Sequence, residues 1–339
     1  MTRNLFTNFL ITAVCCSSAF NSIRGEGNAV DDASVAGETK PIKMLFYGNS
    51  FTGMWKIFEL VQQMAEKAKP GLKIDYITSI AGGKMGELET QWGKGNQLYF
   101  NLRDLSTEEI ELALAGWQKE REEAVAEKER FPHNHRVTNY EKWLGWMDDL
   151  GEKPKLDYVV LQSWGSNDAD YMRKFTKLAR EREIKPILYF TEAREEILFP
   201  QTEAPDPEPV MKQAHYQAAL GNELDALVVP VPLAILKVHQ KLPALTMRYI
   251  NNFHLNQVCA YLTTCCFYAA MFDESPVGLT MREVNLPAYT NWRNVDPDGN
   301  PKNVVFTEHL ATLLQQSAWD AVQEMKKLQK ELAEGNKTP

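Results

Sequence analysis

Ser50, in the turn Gly48-Asn49-Ser50-Phe51-Thr52, and His254, in Asn251-Asn252-Phe253-His254, are the residues whose types best suit nucleophilic chemistry in this chain. A serine hydroxyl is a weak nucleophile until a base takes its proton, and a neutral imidazole is the side chain best matched to that task near pH 7. The turn follows the apolar run Ile42 to Tyr47, so Ser50 falls at the carboxyl end of an expected first strand. An open α/β sheet keeps its chemistry at such strand ends. Gly48 lets the chain turn sharply, and a helix expected over Met54 to Lys69 would point N–H groups outward beside the serine. Two plainer readings compete. Serine is a preferred helix cap, so Ser50 could simply close a helix N-terminus, and a lone histidine before the apolar run Leu255 to Phe272 could simply pack against it.

The elements that would position these residues follow from hydrophobic pattern. Leu72 to Ile80 alternates apolar and polar residues and ends in Ala81-Gly82-Gly83, as a second strand would. Asp157 to Leu161, Lys185 to Thr191 and Ala226 to Val231 are short runs rich in β-branched or aromatic residues, each adjoined by a helical stretch. Alternating strands and helices predict an α/β fold, a three-layer αβα sandwich with a central parallel sheet of flavodoxin-like type. A helical insertion is expected over about 87–151, where Ser106-Thr107-Glu108-Glu109 is a capping-box pattern ahead of a charged helix. Trp92, Trp117, Trp143 and Trp146 lie in it, to anchor it to the core or to line a cleft. Val304 to Glu334 predicts a long closing helix.

At this point the pattern resembles the SGNH, or GDSL-like, hydrolase superfamily of esterases and lipases, over about residues 42–279. That superfamily carries its serine in a Gly-Asp/Asn-Ser turn, matched by Gly48-Asn49-Ser50. A glycine follows its second strand, matched by Gly82 or Gly83. A Gly-x-Asn-Asp block follows the third, matched by Gly165-Ser166-Asn167-Asp168, and Asp-x-x-His stands near the end. The resemblance implies Ser50 as nucleophile, His254 as base, and an oxyanion hole from the Ser50 and Gly83 N–H groups with the Asn167 amide. Gln162, at the end of the expected third strand, competes with Asn167 for that last role. The aspartate position is Asn251 here. An asparagine can accept a hydrogen bond from imidazole but brings no charge to stabilise imidazolium, and it can also select the wrong tautomer. Three outcomes are open: a Ser-His dyad steered by a backbone carbonyl, a carboxylate from elsewhere such as Asp168 or Asp273, or a degenerate module that binds without hydrolysing.

Composition narrows the function classes. A formal net charge of -8 offers no basic face for nucleic acid. Arg3, the apolar stretch Leu5 to Val14 and Ser17-Ser18-Ala19 predict an export signal over residues 1–19, too short and polar for a stable membrane span. A flexible leader over 20–40 and the folded domain over 41–335 would follow. Cys259, Cys265 and Cys266 share one apolar segment and suit buried thiols better than a disulfide framework. His133 and His135 lack the further ligands a metal needs, and Gly82-Gly83-Lys84 lacks phosphate-loop spacing, so neither metal nor cofactor is expected. The expected function is a secreted or periplasmic serine esterase acting on acyl esters, with O-acetyl groups on carbohydrate as the leading substrate. Trp55, Trp92 and Trp164 are candidate aromatics near strand ends, the last two for substrate binding. The alternative is a catalytically degenerate SGNH-fold module that binds extracellular glycan.

Overall fold

The computed structural model describes residues 40–129, 134–163, 168–191, 198–252, 254–285 and 295–335. The first strand, β1 (Ile42–Gly48), is buried over nearly its whole length. A strand with both sides apolar must lie inside a sheet covered on both faces. Phe46 and Tyr47 show those two faces directly, because consecutive side chains on a strand point to opposite sides. Phe46 meets Phe58 at 6.0 Å and Phe267 at 6.2 Å between ring centres, whereas Tyr47 meets Phe175 at 4.7 Å and Phe100 at 6.1 Å. Phe58 belongs to α2 (Ile57–Ala68) and Phe267 to α9 (Gln257–Phe272), while Phe175 belongs to α6 (Asp168–Glu181). Helix, sheet and helix therefore stack as three layers.

The sheet is formed by β1, β2 (Ile74–Ile80), β3 (Tyr158–Ser163), β4 (Lys185–Phe190) and β5 (Leu227–Pro230), all parallel, in the order β2-β1-β3-β4-β5. Chain direction across the sheet reverses between β1 and β3, and the crevice outside their carboxyl ends is the place such sheets reserve for ligands. Ser50 follows β1, and Gln162 and Ser163 end β3. At the far edge, α7 (Glu208–Glu223), α9 and the closing helix α10 (Glu308–Gly335) pack around β5, and α8 (Val231–Lys241), which follows β5 directly, packs on α10. A small antiparallel pair, β6 (Glu283–Val284) and β7 (Val304–Val305), precedes α10, which starts four residues later than the expected closing helix.

The stretch between β2 and β3 is helical, with α3 (Leu88–Gly93), a 3₁₀ segment Asn96–Asp104, α4 (Thr107–Ala126) and α5 (Asn134–Leu150). The Ser106–Glu109 capping box forms as the sequence predicts. Its tryptophans anchor. Trp143 is buried at 1% exposure and lies 5.9 Å from Trp146, which covers the buried Lys43 ammonium at 5.1 Å. Trp117 stacks under Arg136 at 4.3 Å. Among the described residues, no helix is long and apolar enough to cross a membrane.

Candidate active site

The expected helix over 54–69 begins earlier and is broken. Ser50 opens the short helix α1 (Ser50–Gly53), and the chain kinks at Lys56, which adopts φ 44°, before α2. The cap of α1 is Asn49, whose Oδ1 accepts the Phe51 N–H at 2.9 Å. Ser50 is thus relieved of the capping role, and its hydroxyl meets His254 Nε2 at 2.8 Å. The Ser50 N–H has no acceptor among the described residues.

Gln162 holds this turn across the β1–β3 seam. Its Oε1 accepts the Asn49 N–H at 3.0 Å and the Thr52 hydroxyl, while its Nε2 donates to Asn49 Oδ1 at 2.7 Å. At 2% exposure it is a buried brace for the serine turn, which is a different use from the oxyanion donor that the sequence offered as one option. Asn49 Nδ2 stays buried with no acceptor among the described residues. Gly48 is required by this brace, because a Cβ there would lie 2.6 Å from Thr52 Oγ1 and closer still to Gln162. Gly86 is equally constrained, since its Cβ would fall 2.5 Å from Asn49 Cβ and from two backbone carbonyl oxygens, Gly48 and Ala81. The loop after β2 can therefore press against the serine turn only with glycine at 86, a residue that motif matching passed over in favour of Gly82 and Gly83. Gly83 itself opens the 3₁₀ turn Gly83–Gly86 at φ 55°.

His254 lies in a tight bend preceding α9, where Arg248 and Leu255 form an antiparallel bridge and the Tyr249 N–H donates to the His254 carbonyl at 3.0 Å. The third member of the constellation is Asn252. Its Oδ1 accepts both the His254 backbone N–H, at 3.1 Å, and His254 Nδ1. Because a backbone N–H can only donate, that amide atom is the oxygen, so Nδ1 carries the ring proton and Nε2 presents its lone pair to Ser50. Asn251, the residue expected in this position, is exposed, and its backbone N–H is held by Asp298 Oδ1 at 2.8 Å. Of the alternative carboxylates, Asp168 contacts Ser163 Oγ at 3.3 Å, and Asp273 pairs with Lys326 at 2.5 Å at the far end of α9.

Phe51 stands 5.6 Å from the His254 ring, and the Arg248 guanidinium lies 5.8 Å from the Phe51 ring. Burial and, next, the Arg248 charge hold the His254 pKa below the usual histidine value, which keeps the imidazole neutral at pH 7.

The expected tryptophans divide. Trp55 is 1% exposed, stacks on Tyr249 at 6.1 Å and donates its indole N–H to the Leu255 carbonyl at 2.6 Å, so it braces the histidine bend instead of facing a ligand. Trp92 packs edge-on against Phe175 at 5.2 Å and beneath Lys174 at 5.8 Å, fastening α3 to α6. Trp164 and Asn167 lie outside the described residues, as do Gly165, Ser166 and His133. No group of three or more His, Cys, Asp or Glu residues among the described residues is arranged to hold a metal ion.

No family model matches this chain, and no curated protein is similar to it. A solved structure titled as a gut microbial diltiazem-metabolizing enzyme is distantly similar, at 10% sequence identity and a TM-score of 0.36. The match covers 69% of this chain and 47% of that one, so the chain spans about half the length of that structure.

Proposed function

We propose that the protein is an exported serine hydrolase of the SGNH type that cleaves acyl esters, with small acyl groups such as O-acetyl on carbohydrate as substrate. The observation that carries this reading is the line Asn252 Oδ1, His254 Nδ1–H, His254 Nε2, Ser50 Oγ, in which the base is neutral and in the productive tautomer. Ser50 Oγ would attack the acyl carbonyl while its proton passes to His254 Nε2. The tetrahedral oxyanion would take N–H donors from Ser50 and Gly83 and the side-chain amide of Asn167. On collapse the carbon–alkoxide bond breaks, His254 gives its proton to the leaving alcohol, and an acyl-enzyme remains. Water then attacks, losing its proton to His254, and Ser50 is released with the acid. Fixed donors aimed at the developing charge are the largest source of acceleration in such chemistry, worth about 3 to 4 kcal/mol for one donor.

The neutral Asn252 is the feature that separates this site from a Ser-His-Asp triad. It supplies orientation without a charge for the imidazolium, which suits esters, whose leaving groups demand less than amides.

The deciding measurement exposes the protein lacking residues 1–19, beside Ser50→Ala and His254→Ala variants, to a fluorophosphonate and weighs the intact adduct. Labelling that requires both residues supports an activated serine; an unlabelled, well-folded wild type would overturn hydrolysis and leave the glycan-binding alternative. Acetate release from acetylated polysaccharide, set against cleavage of long-chain acyl esters, tests the substrate class. Cleavage of the long chains alone would sink the carbohydrate assignment.

A further inference from the structure

Building on the Ser-His reading above, we infer that Asp298 is a positioning residue for the base: its carboxylate fixes the backbone of residues 250 and 251 so that Asn252 meets His254 and turns the imidazole on Ser50. Asp298 Oδ2 accepts the Ile250 N–H at 2.9 Å and Oδ1 accepts the Asn251 N–H at 2.8 Å. Two consecutive N–H groups held by one carboxylate set the direction of the chain immediately before Asn252. Both bonds are to a charged acceptor, the stronger class of hydrogen bond.

The turn that carries Asp298 is itself fastened. Asp296 Oδ1 accepts the backbone N–H groups of Asp298 at 3.0 Å and Asn300 at 2.8 Å, and Gly299 completes the turn at φ 87°. The other carboxylate oxygen of Asp296 accepts from Gln257 Nε2 at 3.1 Å, and Gln257 Oε1 accepts the Tyr249 hydroxyl at 2.9 Å. The turn at 296–300 is thereby tied to the first turn of α9 and to the residue preceding Ile250. On the other side of His254, the Trp55 indole grips the Leu255 carbonyl. His254 sits between these two clamps, one from the 296–300 turn and one from the segment joining α1 to α2. The carboxylate that the resemblance would place at 251 is replaced by one acting on the backbone of 251.

A purely structural Asp298 would close a surface turn and affect stability alone, so the test reads the imidazole. We would compare wild type, Asp298→Ala and Asp298→Asn by long-range ¹H–¹⁵N spectra of the histidine rings, by kcat and KM on an acetyl ester, and by thermal melting. All assays are run well below each melting temperature. The wild type should show His254 as the Nδ1–H tautomer. Asp298→Ala should shift it toward the Nε2–H form that free imidazole side chains favour and lower kcat by about 10- to 100-fold, with KM within about twofold, as expected for a misplaced catalytic group. Asp298→Asn keeps one carbonyl acceptor and should fall between the two. A folded Asp298→Ala protein with the wild-type tautomer and kcat would overturn the proposal; if that variant does not fold, an unchanged tautomer and kcat in Asp298→Asn would do so. If the wild type neither labels nor hydrolyses, the esterase reading fails separately, and the tautomer comparison still decides the role of Asp298.

Discussion

Ser50 and Asn49 divide between them two tasks that one serine could have performed. Asn49 caps α1 and binds Gln162, while Ser50 faces His254. Ser50→Ala should therefore remove labelling and lower kcat by about 10⁴-fold or more, yet change unfolding free energy by only about 0.5 kcal/mol. Asn49→Ala loses a helix cap and should cost about 1 to 2 kcal/mol in urea unfolding. The adjacent asparagines Asn251 and Asn252 should also separate in assay. With its pKa held down, His254 is protonated only in more acidic solution than an ordinary histidine, so the rate should rise through a midpoint below pH 6.5 and stay level above it. Asn252→Asp puts a negative charge against Nδ1, which favours imidazolium. It should move that midpoint up by about one to three pH units and raise kcat by about tenfold, since a charge-assisted bond replaces a neutral one. Asn251→Asp, on an exposed side chain, should leave kcat within about twofold. A pH–rate profile in which Asn251→Asp gives the larger gain would reverse this assignment.

At the scale of elements, the β1–β3 seam is where sheet order becomes site geometry. Thr52 and Asn49 on the serine turn end on Gln162 of β3, so Ser50 is registered to the strand beside it. Gln162→Ala strands the Asn49 N–H and the Thr52 hydroxyl as buried donors, and should cost about 2 to 4 kcal/mol by urea unfolding. A cost below half a kilocalorie per mole would show that the brace is not under load. The α4–α5 pair behaves differently. Among its side chains α4 buries Ile110 fully and packs Ala113, Leu114 and Trp117 only partly against the core, with most of its other side chains exposed. Loss of the capping box in Ser106→Ala should thus appear as faster amide exchange in the first turn of α4, with little change in the global melt.

At the scale of the whole molecule, His239 and His254 couple stability to acidity. His239 is buried against the Leu245 carbonyl, with Nε2 at 2.7 Å from it, and burial lowers its pKa as it does that of His254. The unfolded chain then binds protons first as pH falls. The stability these groups contribute is complete above pH 6.5 and is lost progressively as pH drops from there through their depressed folded values. The urea midpoint should fall between pH 7.5 and 5, and the fall should shrink in His239→Gln. An unchanged slope in that variant would remove His239 from the account. Cys259, Cys265 and Cys266 are buried and unpaired within α9, and burial pushes the Cys259 thiol up to about 12. Thiolate is the reactive form, so a disulfide reagent should leave these thiols untouched in the native protein and reach them on unfolding.

The order of strands and helices, the serine at the end of β1 and the apolar α9 could be read from the chain because hydrophobic period and turn residues are local signals. Gln162 and the capping box were visible on the same ground, although the brace that Gln162 makes was not. What only the tertiary structure decided were pairings across long stretches of chain. Ser50 and His254 are 204 residues apart and meet at the sheet's carboxyl edge, Trp55 is withdrawn from any ligand to hold Leu255, and Asp298 reaches back to the histidine bend. Asn251 and Asn252 carry identical side chains one residue apart, so no pattern of residue types distinguishes them. The bend between Arg248 and Leu255 does, because its backbone geometry points one amide at the imidazole and leaves the other in solvent. Local pattern thus fixed which elements form, and the geometry of distant loops fixed which atoms face one another.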